Sequence, residues 1–102
     1  MTKSRIRISL DVIKEKRDEI IRIAEKHGAS AVRVFGSVAS GDNSADSDLD
    51  ILVKMEDSRS LVDHVALIRE LEEILECRVD VVPEDTLHSR IRQRVLSEAV
   101  PI

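Results

Sequence analysis

Residues 35–53 read FGSVASGDNSADSDLDILV. An apolar run stops at Gly36-Ser37, passes through a polar loop with a second glycine, and restarts as Ser47-Asp48-Leu49-Asp50-Ile51-Leu52-Val53. The restart has the make-up of a buried β-strand with two aspartates at its mouth. Side chains alternate along a strand, so Asp48 and Asp50 fall on one face, their Cα atoms about 6–7 Å apart. Two ionised carboxylates entering an apolar core are costly unless a cation sits between them. A divalent metal carrying a nucleoside triphosphate meets that need. Gly36 permits close backbone approach to the phosphates, and Ser37 offers a hydroxyl and a backbone N–H.

Working outward, residues 31–35 (AVRVF) are short, rich in β-branched side chains and closed by Gly36, which predicts a strand. Residues 37–40 fit a short helical turn, and residues 41–44 have turn chemistry. The strand over 48–55 puts Asp48, Asp50, Leu52 and Lys54 on one face and Leu49, Ile51, Val53 and Met55 on the other. Upstream, Ser9 is a candidate N-cap for one amphipathic helix reaching Lys26 or His27, with Gly28 as its stop. Downstream, Ser60-Leu61-Val62-Asp63 fits a capping box, and the stripe Val65, Ile68, Leu71 and Leu75 carries a helix to about Glu76. Val79-Asp80-Val81-Val82 reads as a third strand ended by Pro83, and Leu87, Ile91 and Val95 mark a last helix ending near Ala99. The predicted fold class is α+β: a small mixed β-sheet packed by helices, one domain over 1–102.

Composition narrows the function. The chain has 102 residues and a formal net charge of −4, which gives no electrostatic help toward a phosphate backbone. Phe35 is its one aromatic residue, so stacking platforms for single-stranded nucleic acid are lacking. A single cysteine, Cys77, excludes an internal disulfide and fits a reducing compartment. No apolar run is long enough to span a bilayer, and residues 1–12 lack the apolar core of a signal peptide; the expected location is cytoplasmic.

Asp80 interrupts its apolar strand as Asp50 does. If the two strands are neighbours, cross-strand spacing of about 5 Å lets Asp48, Asp50 and Asp80 converge. Three acids at one place suit a two-metal phosphoryl or nucleotidyl transfer site, in which paired Mg²⁺ ions hold the attacking and leaving oxygens. Asp48 and Asp50 are the candidate ligands of both ions. Asp80 is the ligand nearer the acceptor and helps remove the proton from the attacking hydroxyl. Such a cluster without metal raises the pKa of at least one member.

Gly36-Ser37, ten intervening residues, Asp48-Leu49-Asp50 and a lone later Asp80 together resemble the polymerase-β-like nucleotidyltransferase superfamily. The short chain closing on one helix is similar to its minimal nucleotidyltransferases of the MntA type, antitoxins encoded beside HEPN-domain ribonuclease toxins. The resemblance covers essentially the whole chain. It implies Mg²⁺-dependent transfer of AMP from ATP onto a tyrosine of the HEPN toxin, which silences it. The rival expectations are an antitoxin that neutralises by binding alone and a DNA-binding autoregulator, the latter opposed by charge and composition.

The remaining polar residues read more simply. His27 suits a helix C-terminus; His64 and His88 are expected at the surface. Cys77 is expected half-buried and inert, Lys54 at a sheet edge, and Arg90, Arg92 and Arg94 fanned around a solvated helix.

Overall fold

The computed structural model describes residues 8–41 and 48–102. The predicted turn at 42–44 and the lead-in at 45–47 lie outside the described residues. The helix predicted from Ser9 is two helices, α1 (Leu10–Glu15) and α2 (Arg17–Lys26), broken at Lys16 with φ −100° and ψ 14°. Ser9 does cap it, its Oγ accepting from the Val12 N–H at 3.3 Å. The break is anchored at long range: Lys16 Nζ donates to the Ile74 carbonyl at 3.1 Å.

β1 (Ala29–Phe35) runs directly into α3 (Gly36–Ser40), which Gly41 closes in the left-handed conformation at φ +82°. β2 (Leu49–Met55) follows, then α4 (Leu61–Leu75). The capping box at the start of α4 is present, with Asp63 Oδ2 accepting from the Ser60 N–H at 3.3 Å. β3 (Val79–Pro83) leads through a 3-10 turn, Glu84–Thr86, into α5 (Ser89–Glu98). A two-residue strand, β4 (Val100–Pro101), was not predicted. The four strands stand in the order β3-β2-β1-β4, with β2 and β3 parallel and the other pairs antiparallel. The sheet is mixed and helix-covered, as the sequence indicates.

Alternation gives the sheet two unlike faces. Leu49, Ile51 and Val53 of β2, Val34 of β1 and Val79 and Val81 of β3 join Ile20, Ala24, Leu67 and Leu71 of α2 and α4 in one buried cluster. Each large member contributes about 1.5–3 kcal/mol by leaving water. The opposite face carries Asp50 and Leu52 of β2 with their β1 partners Phe35 and Arg33. Leu52 is fully buried there but outside the main cluster, where the Glu84–Thr86 turn packs on β2. An ion pair between Arg33 and Glu84 fastens that turn to β1.

Two histidines are more embedded than their local sequence suggests. His27 is buried at the end of α2, its Nε2 against Glu70 of α4 and its Nδ1 3.9 Å from Asp63. With Lys26 also 2.9 Å from Glu70, this end of α2 is tied to α4 by charge as well as by the dipole. The His27 hydrogen bond, then that of Lys26, holds the Glu70 carboxyl below its usual range. His64 is half-buried, with Nε2 2.9 Å from the Val81 carbonyl. A carbonyl only accepts, so Nε2 carries the proton. His88 is exposed, and its Nδ1 accepts from the Arg90 N–H to cap α5.

Candidate active site

Gly36, Asp48, Asp50 and Asp80 lie at the end of the sheet where β1 finishes and β2 and β3 begin, with Ser37 next to Gly36. Phe35 pairs with Asp50, so the chain leaves β1 at Gly36 beside the Asp50 side chain. Gly36 has φ +75°, and a Cβ there would collide with the Asp50 carboxylate. Glycine is required twice over at this position, by the backbone and by the space. Ser37, half-buried, follows in the first turn of α3.

On the other flank, Asp50 and Asp80 are direct partners in the parallel register. Paired residues on adjacent strands share a face at the strand spacing of about 4.8 Å. Asp50 is partly buried, Asp80 exposed on the edge strand, and Asp48 exposed just before β2. Burial first, then the charges of Asp80 and Asp48, push the Asp50 carboxyl up from its ordinary value. The acid cluster is therefore under-neutralised, as its sequence implies. Asp48 is paired with Arg78, Nε to Oδ1 at 3.4 Å. Among the described residues no three His, Cys, Asp or Glu side chains are gathered closely enough to ligate one ion. The structure brings Asp50 and Asp80 abreast and leaves Asp48 beside them on Arg78.

These donors suit Mg²⁺. They are hard carboxylate oxygens, they repel one another, and a dication between them relieves the strain registered at Asp50. The missing Cβ at Gly36 lets the backbone pass close against the same carboxylate.

Sequence reasoning missed one site neighbour, Arg78, which carried a faint signal, a cation two residues before Asp80. It also missed the Arg33–Glu84 pair elsewhere on the sheet, whose members are far apart in the chain. Cys77 is half-buried as expected; burial first, then Glu72 and Asp48, push its thiol up to about 11.

The model of the nucleotidyltransferase domain family matches residues 13–102, nearly the whole chain. The chain belongs to the nucleotidyltransferase domain family. This nucleotidyltransferase domain is 41% identical over 90 residues to MJ0435 of Methanocaldococcus jannaschii, a candidate protein adenylyltransferase, covering 88% of this chain and 97% of that one. It is 41% identical over 78 residues to the protein adenylyltransferase MntA of Thermococcus cleftensis, covering 76% and 79%. A solved candidate minimal nucleotidyltransferase superposes with a TM-score of 0.84 at 45% identity, covering 93% of this chain and 97% of that one. The fold is also that of a Shewanella oneidensis complex between a tri-AMPylated HEPN toxin and its MNT antitoxin, at TM-score 0.64 and 20% identity, covering 86% and 69%. Among the described residues no helix is long and apolar enough to cross a membrane.

Proposed function

We propose that this nucleotidyltransferase transfers AMP from ATP to a hydroxyl on a HEPN-type toxin, a tyrosine as the family resemblance implies, and so acts as its antitoxin. The observation that carries the proposal is the alignment of Gly36, Asp50 and Asp80 across three neighbouring chain segments. Its relatives named protein adenylyltransferases support the adenylyl group and the protein acceptor.

The residues divide the work by position. Gly36 and Ser37 receive the triphosphate on the β1 flank, Gly36 by its open backbone and Ser37 by its hydroxyl and N–H. Asp48 and Asp50 would hold Mg²⁺, with Asp80 joining them on the β3 flank. A metal held there would supply neutralisation of the phosphate charge during the in-line displacement. Asp80 accepts the proton of the acceptor hydroxyl. That oxygen forms a bond to the α-phosphorus, and the bond from α-phosphorus to the bridging oxygen breaks. Pyrophosphate leaves with the electron pair. Asp80 is exposed at a sheet edge, so a hydroxyl on another protein can reach it.

The test is intact-mass spectrometry of the toxin partner after incubation with this chain, Mg²⁺ and each nucleoside triphosphate. The expected result is mass gained in AMP units with ATP, lost with Asp50→Ala. A stable complex with no added mass refutes the transfer reading and leaves neutralisation by binding.

A further inference from the structure

Among the described residues, Arg78 is the cation paired with a member of the acid cluster, and its position is set by the backbone. The Arg78 carbonyl accepts from the Leu49 N–H at 2.8 Å, which fixes the start of β3 against the residue between Asp48 and Asp50. From there the guanidinium reaches Asp48 while its side chain stays 82% exposed, and the Asp48 side chain is 51% exposed. A pair so open to water is weakly held and readily exchanged. It also lies on the β3 flank, across Asp50 from Gly36 and Ser37.

We propose that Arg78 is a built-in counter-ion that occupies the cation position at Asp48 until a divalent metal displaces it. It thereby sets the metal concentration at which the site loads. This rests on the assignment of Asp48 and Asp50 as metal ligands. The guanidinium on Asp48 repels an incoming dication and occupies one of its oxygens, so metal entry swings the guanidinium outward into water. The long, flexible, exposed side chain makes that movement inexpensive. The negative charge remaining at Asp50 and Asp80 is what lets a dication win the exchange.

The experiment is a Mn²⁺ titration of the full chain without nucleotide, followed by electron paramagnetic resonance of the free ion. Arg78→Ala should tighten Mn²⁺ binding about fivefold, the size of an exposed ion pair. Arg78→Lys should stay near wild type, because the charge is kept. Arg22→Ala removes the same unit charge from the exposed face of α2 and should change affinity less than about twofold after screening. Equal effects of Arg78→Ala and Arg22→Ala, or none from Arg78→Ala, overturn the proposal. Asp50→Asn separates the two assignments. If it weakens Mn²⁺ binding while Arg78→Ala does nothing, the metal site stands and the counter-ion role fails. If Asp50→Asn does not weaken binding, the metal assignment fails and the proposal with it.

Discussion

Replacing Gly36 with alanine tests the site more cleanly than removing an acid, because the structure supplies its own control. Gly36 and Gly41 bracket the same short helix at φ +75° and +82°. An L-residue held in that region costs about 1–2 kcal/mol, so Gly36→Ala and Gly41→Ala should lose similar stability by urea denaturation. The space differs. A Cβ at Gly41 meets nothing within 4 Å, whereas one at Gly36 collides with the Asp50 carboxylate. Asp50 is only partly buried and can yield at little cost to folding. Displacing a catalytic group by about 1 Å, however, costs on the order of a hundredfold in rate, or about 2.7 kcal/mol of barrier. The assay is single-turnover transfer from α-labelled ATP to the protein acceptor at saturating Mg²⁺. Gly36→Ala should be slowed about a hundredfold and Gly41→Ala less than about threefold, by the same comparison of contact against none. Equal rates in the two variants would refute the claim that the close approach of Gly36 to Asp50 builds the site.

Asp50 also makes a pH prediction. Its folded carboxyl is raised above the ordinary 3.8, so the unfolded chain ionises first and stability falls as pH rises through the two values. With metal chelated, Asp50→Asn should be more stable than wild type at pH 7, by up to about 1 kcal/mol. That advantage should shrink toward pH 3 in urea titrations; a pH-independent difference contradicts it. Glu84 has the opposite sign, since the Arg33 hydrogen bond holds its carboxyl below the usual 4.5. Its contribution is present above the unfolded value and lost as pH falls through the folded one. Glu84→Gln should therefore cost about 1–2 kcal/mol at pH 7 and nothing at low pH, measured by the same titrations. The Cys77 thiol, raised from 9.0 to about 11, should react with iodoacetamide near neutrality about a hundredfold more slowly than an unperturbed thiol, and at the ordinary rate in urea. Fast labelling of the native chain would show the thiol to be less desolvated than its surroundings imply.

The parts legible in the sequence are those whose signal is local. Alternation around Asp50, the glycine stop after Phe35, the capping box at Ser60 and the aspartate within the third strand each concern a few consecutive residues. The Asp50–Asp80 pairing needed a supposition besides the two strands, that they are neighbours, and the parallel register supplies it. What escaped depends on partners distant in the chain. Nothing near Lys16 marks a helix break, because the group that receives its ammonium is the Ile74 carbonyl. Val100-Pro101 is too short to alternate and becomes a strand only because Arg33 and Val34 offer a free edge. His64 looked superficial because its acceptor, the Val81 carbonyl, belongs to another element.

The parallel register of β2 and β3 works as an error check on the active site. A slip of one residue in β3 would turn Asp80 away from Asp50, and it would also expose Val79 and Val81, now only 6% and 2% accessible. Misaligned acids thus carry the penalty of a broken core on the far side of the sheet. The edge strand, which among the described residues has no strand on its outer side, is kept in step by its own buried valines.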